Sequence, residues 1–397
     1  MKTYRLNVKK PHLLTLMFLS AFASMGAVLM MPALPEMSAH FGIHTSTTQL
    51  AVTCFLLGWA IGQLIYGPLA NRYGRKKAIY IGIVIATLGS IFSIISSPLE
   101  SFRLMVFGRF LEATGASAGL AVSIAMINDF YFEIDARRIM GLLMFAFAII
   151  PGIAVAIGGA LVQFLHWQSC FYFLLFYGLI LIYPAHRLPE TNTTPDINAL
   201  KLHHVFHNYC KHFQIKKLMG FSLIAGFSIA CVYVFGAEGP FIGIHLLHIQ
   251  PAIYGILALT PYFGSLLGSL IVVRLSKINP LLVIKIAFCF EITASIIMFI
   301  LFSFHLISLT TMLIPMGIFC IGHPIIGATT ISLSMQQTND KSNGSAIINF
   351  TSMCIPVSMT LLLSIIHSQD AVVMPLIFLI SLILMTCTFF WCTRENN

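Results

Sequence analysis

The chain has 397 residues, of which 58% are apolar and only 9% charged, with a formal net charge of +9. A soluble globular protein carries about 25% charged residues, so a soluble fold, which could not hide this much apolar surface, is excluded. Apolar windows of about 20 residues recur from end to end, each long enough to cross about 30 Å of hydrocarbon. They outrun the alternating segments of about 10 residues found in membrane barrels, so the backbone must satisfy its hydrogen bonds within helices.

Twelve spans are expected, over residues 12–35, 47–70, 78–97, 102–127, 138–163, 169–187, 217–240, 252–273, 281–303, 307–333, 344–366 and 372–392. The first run follows Lys10 and ends in Pro32-Ala33-Leu34-Pro35-Glu36. It is too long for a signal peptide and lacks a small-residue cleavage site, so it is read as a span. The second carries Gly58 and Gly62, then leads into Gly67-Pro68-Leu69-Ala70-Asn71-Arg72-Tyr73-Gly74-Arg75-Lys76-Lys77. There Gly67 is expected to let the helix end pack tightly and Gly74 to permit a sharp turn. Arg109 and Glu112 fall within span four, Asp129 at its end, and Pro151, Gly158 and Gly159 within span five.

A polar, basic stretch at 188–216 divides the chain into an N-terminal half, 1–187, and a C-terminal half, 217–397. Its histidines, His203, His204, His207 and His212, have a spacing that could place metal ligands on one helix face. With Lys201 and Lys211 among them and no acidic partner, a basic linker beside anionic lipid is favoured. No metal site is expected, and nine scattered cysteines without a C-x-x-C pair indicate neither zinc nor a disulfide framework. In the second half, span seven carries Tyr233 and Glu238, the latter beside Gly239-Pro240, where a helix break is expected. Span eight carries Tyr262 and repeats the small-residue device at Gly264 and Gly268, span nine holds Glu291 and span ten His323-Pro324.

With the N-terminus placed in the cytoplasm, the loop lysines and arginines fall on the inner side and only Arg103 lies outside. That asymmetry is the positive-inside rule. It puts both termini inside and makes the basic charge topological, with no nucleic-acid partner implied.

The segment Gly67–Lys77 resembles the G-x-L-a-D-r-x-G-r-[RK] signature of the major facilitator superfamily. Further elements resemble the bicyclomycin/chloramphenicol-resistance (Bcr/CflA) branch of twelve-helix drug:proton antiporters. They are Pro32-Ala33-Leu34-Pro35, Gly62-Gln63-Leu64-Ile65-Tyr66-Gly67-Pro68, Arg109 with Gly115, Pro151 with Gly158 and Gly159, Trp167 with Phe171, Leu188-Pro189-Glu190-Thr191, Gly239-Pro240-Phe241 and Gly344-Ser345-Ala346. The resemblance implies two six-helix halves and a bacterial inner membrane. It also implies a conformational-gating motif of Gly67, Asn71, Arg72, Gly74, Arg75, Lys76, Asp129, Pro151, Gly158 and Gly159. The departures are specific. The branch's span-one acid is Val28, its motif aspartate is Asn71, the second proline of its span-five motif is Val155, and Glu112 and Glu238 stand where neutral or small residues are usual.

Ionisable groups at bilayer depth are functional hypotheses by default. Arg109 and Glu112, three residues apart on one helix, can meet. Together with Glu238 they are the proton-coupling candidates. Tyr233, Tyr262 and His323 are the cavity candidates, with ordinary helix packing as the other reading of the tyrosines and a hydrogen bond to a carbonyl freed by Pro324 as that of the histidine. Asp129 is expected to pair with the motif's basic residues and replace part of the charge missing at Asn71. Glu291 reads more readily as a packing or small polar contact, and Glu36 as an interfacial residue.

The expected function is secondary active transport: proton-coupled export of drugs or small metabolites by alternating access, with a small molecule, protons and the lipid bilayer as partners and a monomer as the working unit. Uptake or facilitated diffusion of a metallophore or nutrient is the alternative. An enzyme is not expected, since H-E-x-x-H is not present and no Ser/His pair stands in a convincing context. No cofactor is expected, and the absence of a Walker-type loop removes ATP as the energy source.

Overall fold

The structure, a computed structural model, describes residues 10–394 apart from 132, 194, 197, 198, 339 and 367–369. The N-terminal basic residues Lys2, Arg5 and Lys9 lie outside the described residues, as do the side chains of Arg137, Arg138, His204, His207 and Lys341.

Among the described residues, twelve helical spans run in chain order: α1 Leu13–Phe41, α2 Thr45–Tyr73, α3 Arg75–Ile95, α4 Phe102–Phe130, α5 Glu133–Phe164, α6 Ser169–His186, α7 Lys216–Leu246, α8 Pro251–Arg274, α9 Pro280–Ser303, α10 Leu309–Gln336, α11 Asn343–Ile365 and α12 Val373–Thr393. Eleven of these are long and apolar enough to cross a membrane by themselves. In α5 the stretch Ile149–Phe164 is a shorter apolar helix. A separate amphipathic helix, Leu202–Phe213, lies in the linker.

Local chemistry sets the ends. Gly42 stops α1 with φ +61°, a left-handed cap that glycine adopts without strain. Gly74, at φ +99°, makes the sharp turn between α2 and α3. Ser308 opens α10 with a capping box completed by Thr311. Two expectations are corrected here. The helix does not break at Gly239-Pro240; it continues as a wider π-helical turn over Phe241–Leu246, which accommodates the missing proline N–H without parting the chain. Nor does Gly67 serve close packing: a Cβ built there meets nothing within 4 Å.

The two halves pack by the same rule. In the first, α4 sits against α1, α2 and α3, and α1 also meets α5; in the second, α10 sits against α7, α8 and α9, and α7 also meets α11. Contacts between halves are exchanged symmetrically, α2 with α11 and α5 with α8. Small residues set these distances. A Cβ at Gly58 would lie 2.2 Å from the Phe110 carbonyl of α4, and one at Gly264 would lie 2.1 Å from the Gly317 carbonyl of α10. Backbones approach this closely only where a side chain is absent.

Gly58→Leu and Gly264→Leu should therefore each remove most folded protein, whereas Gly67→Ala should stay within about 0.5 kcal/mol of the parent. Thermal unfolding of the detergent-solubilised proteins, followed by size exclusion, would check this.

Candidate functional site

Helices α1, α2, α5, α7, α8, α10 and α11 enclose a cavity of about 260 Å³ near the middle of the bundle. Both halves contribute. Val28 and Trp59 face it from the first, with Pro151 and Val155 of α5; Tyr233, Tyr262 and His323 face it from the second. The three cavity residues named from the sequence thus line one space. Its wall carries aromatic, thioether and hydroxyl groups and, among the described residues, no Lys, Arg, Asp or Glu. Val28 points into it at the position where the resembling branch has its acid.

The charged pair lies behind this wall. Arg109 and Glu112 are fully buried, with Arg109 Nη1 donating to Glu112 Oε2 at 2.9 Å. Arg109 Nη2 donates to the Gly26 carbonyl of α1 at 2.7 Å, and its guanidinium lies over the Phe55 ring of α2, 4.1 Å from the centroid. One arginine thus ties α4 to α1 and α2. Glu112 Oε1 and Arg109 Nε are buried without hydrogen-bond partners. A Cβ at Gly26 would fall 3.0 Å from Glu112 Oε1, so the carboxylate lies hard against α1.

Glu238 is placed elsewhere. On the face away from the termini, the Gln49 side-chain amide at the start of α2 donates to it, joining the halves. The same face holds Thr53 Oγ1 donating to Thr360 Oγ1 at 3.0 Å and the Ala252 N–H donating to Gln163 Oε1 at 2.9 Å. Gly158 and Gly159 belong here too. A Cβ at Gly158 would meet the Leu29 carbonyl at 1.9 Å, and one at Gly159 the Pro251 carbonyl of α8 at 2.3 Å. This face is closed by direct contact.

On the termini face, Asn71, Arg75, Lys76 and Asp129 of the expected motif lie in one polar cluster. Arg75 Nε donates to Asp129 Oδ2 at 2.9 Å and Arg75 Nη1 to Asn71 Oδ1 at 2.6 Å. Thr191 Oγ1 also donates to Asp129 Oδ2, at 2.9 Å. The backbone N–H groups of Arg75 and Lys76, at the start of α3, donate to the two oxygens of Glu190 at 2.9 and 3.0 Å, the favoured place for an anion on a helix. Lys76 Nζ reaches the His186 carbonyl at 2.5 Å. Arg72 stands apart, its guanidinium 5.8 Å from the Tyr73 ring centroid. The linker packs onto this end, with Tyr209 OH donating to the Leu64 carbonyl at 3.0 Å. His212 is held by Thr338 Oγ1 at 2.9 Å and the Asn208 carbonyl at 2.7 Å.

Sequence reasoning gave no role to Gln49 or Glu190. Gln49 is a polar residue at a span mouth whose partner is 189 residues away, so no local signal marks it. Glu190 was visible as part of Leu188-Pro189-Glu190-Thr191, but its capping role needs the fold to bring α6's exit beside α3.

Breaking a buried ion pair from one side leaves an uncompensated charge and costs about 3–5 kcal/mol, whereas an apolar replacement of both partners costs far less. Arg109→Leu and Glu112→Leu should each lower the unfolding midpoint strongly, and the double variant should recover most of the loss. A thermal double-mutant cycle in detergent measures it; additive losses would show that the two side chains are energetically independent.

The comparisons fit this architecture. The Major Facilitator Superfamily profile matches residues 16–361. A bicyclomycin resistance protein homolog of Haemophilus influenzae is 26% identical over 269 residues, covering 66% of each chain. Multidrug resistance protein D of Escherichia coli is 24% identical over 329 residues, covering 82% of this chain and 80% of its own. The crystal structure of a D-xylose-proton symporter superposes with a TM-score of 0.76 at 11% identity, over 94% of this chain and 96% of that one, a likeness of fold. The chain belongs to the Major Facilitator Superfamily and is a multi-pass membrane transporter, not an enzyme.

Proposed function

We propose that this transporter exports amphipathic small molecules in exchange for protons by alternating access. The observation that carries the reading is the cavity itself: one mid-bundle space shared by both halves, sealed on one face by contacts between them. Rocking of the halves about such a site exposes it to each side in turn. Relatives named for multidrug and bicyclomycin resistance support drug-like cargo. The lining favours aromatic or apolar molecules with one or two hydrogen-bonding groups, which Tyr233, Tyr262 and His323 can orient. With no carboxylate on the wall, the cavity has no fixed anion to select cations.

The positive-inside pattern supports a cytoplasmic termini face and the family resemblance a bacterial inner membrane, which makes the closed Gln49–Glu238 face the outward one. The Asp129–Arg75–Asn71 cluster then braces the inner ends of α2, α3 and α4 within the first half, and the chain works as a monomer in the bilayer. Glu112 is the proton carrier of the first half. Protonation leaves Arg109 bonded to the Gly26 carbonyl without its counter-ion, which changes the balance of forces between α1 and α4. A ligand or proton shifts the two orientations only through unequal affinity for them, and a charge seated between α1 and α4 supplies that inequality.

In inverted vesicles with an acid interior, substrate addition should release protons from wild type and not from Glu112→Gln, as read by a pH-sensitive dye. Val28→Asp, placing an acid on the cavity wall, should partly restore release to Glu112→Gln. Substrate flux from folded wild-type protein without proton release would favour facilitated diffusion or uptake instead, the reading to which Val28 in the cavity wall lends support.

A further inference from the structure

The second half contains a buried carboxylate that the account above leaves unused. Glu291 of α9 has no exposed surface. Ser228 Oγ of α7 donates to Glu291 Oε1 at 2.5 Å. The same Ser228 Oγ lies 2.9 Å from Nδ1 of His323 in α10, and His323 lines the cavity. Three helices thus contribute one residue each to a continuous line, from cavity to imidazole to hydroxyl to carboxyl. Glu291 Oε2 has no hydrogen-bond partner. Nothing about folding alone calls for a glutamate here. A glutamine or leucine would fill the volume without the several kcal/mol that an ionised carboxylate costs when buried without a cation.

The surroundings sharpen the point. Among the described residues no Lys or Arg pairs with Glu291. The other titratable groups beside it are the thiols of Cys231 on α7 and Cys320 on α10. On its own helix Lys285 and Cys289 are exposed, off the buried face. Helix α12, which packs on α9, carries no charged residue over 373–393. The approach is close and designed for this side chain: a Cβ at Gly322 of α10 would fall 2.9 Å from Glu291 Cγ. Ser295 Oγ occupies the glutamate's own carbonyl at 2.8 Å, leaving the side chain to Ser228.

We propose that Glu291 is a proton-binding site of the second half, filled and emptied from the cavity through His323 and Ser228. The inference rests on the proton-coupled reading above and names a second site for it. The transfer balances atom by atom. A hydronium ion in the cavity gives a proton to His323 Nε2 and is left as water. His323 Nδ1–H passes its proton to Ser228 Oγ as the Ser228 hydroxyl proton moves to Glu291 Oε1. The imidazole ends neutral with its proton on Nε2, the serine hydroxyl then faces Nδ1, and the carboxyl is protonated. Release reverses each step, so no ring flip is needed. A hydrogen-bonding cargo seated on His323 Nε2 closes the mouth of the relay. Cargo and proton traffic therefore exclude each other at one atom, which is the logic of exchange.

The test uses purified full-length protein in lipid nanodiscs. Infrared difference spectra are taken across a pH titration and follow the carbonyl stretch of protonated carboxyl groups. One titrating carboxyl band should vanish in Glu291→Gln and persist, displaced, in Glu291→Asp. It should remain in Glu112→Gln. Ser228→Ala, which keeps the carboxyl but cuts the relay, should leave the band's full amplitude and slow proton uptake after a pH jump at least tenfold. A spectrum unchanged by Glu291→Gln would overturn the site, and unchanged uptake kinetics in Ser228→Ala would overturn the relay. In the vesicle assay, Glu291→Gln should lose substrate-dependent proton release while still binding substrate, read by tryptophan fluorescence. Wild-type protein that releases no protons would count against the proton-coupled reading, while the infrared titration would still decide whether Glu291 binds one.

Discussion

Hydrocarbon offers no water to a charge or a backbone group, and the arrangement of this transporter follows from that. Backbone groups are satisfied within helices. Charged side chains at bilayer depth must be paired, hydrogen-bonded or joined to a wet cavity. Arg109 and Glu112 meet the demand by pairing at 2.9 Å and by drawing on the Gly26 carbonyl. Glu291 meets it through a hydroxyl shared with a cavity histidine. Each carboxylate is thus linked beyond its own helix, Glu112 through Arg109 to α1 and Glu291 through Ser228 and His323 to the cavity.

The fold supplies the motion through its repetition. Each half places a central helix, α4 or α10, against three neighbours, and the contacts between halves are exchanged as α2 with α11 and α5 with α8. Polar links between halves on the face away from the termini are few and neutral or singly charged, such as Gln49 to Glu238 and Thr53 to Thr360. Such contacts can part without stranding a bare ion in lipid. Close backbone approaches occur both within each half, at Gly58 and Gly264, and across the seam, where Gly159 of α5 meets the Pro251 carbonyl of α8.

Much of this was legible in the sequence because its signals are local. Span length, the basic asymmetry of the loops and the Gly74 turn depend on neighbouring residues alone. The cavity residues Tyr233, Tyr262 and His323 were visible as polar-tipped groups inside apolar runs. What escaped depends on distant pairings. Gln49 and Glu190 acquire their roles from partners more than 100 residues away, and Ser228 is one unremarkable serine until α9 and α10 are laid beside it. Gly67 misled in the other direction. It belongs to a recurrent motif, but nothing packs on it, whereas Gly58, nine residues earlier, does meet a backbone. Glu291 read as a packing residue or a small polar contact because its helix is peripheral; the contact is there, but its partner Ser228 cannot be read from its own helix.

Obligatory exchange of cargo for protons fixes a balance point between the two gradients that can be measured. Purified protein in liposomes is given a fixed substrate gradient and a series of opposing pH gradients, and the pH gradient that brings net substrate flux to zero is found. With exchange, the zero-flux point moves with the pH gradient, substrate leaving the compartment that protons enter. A zero-flux point that stays at equal substrate concentrations, whatever the pH gradient, would contradict it.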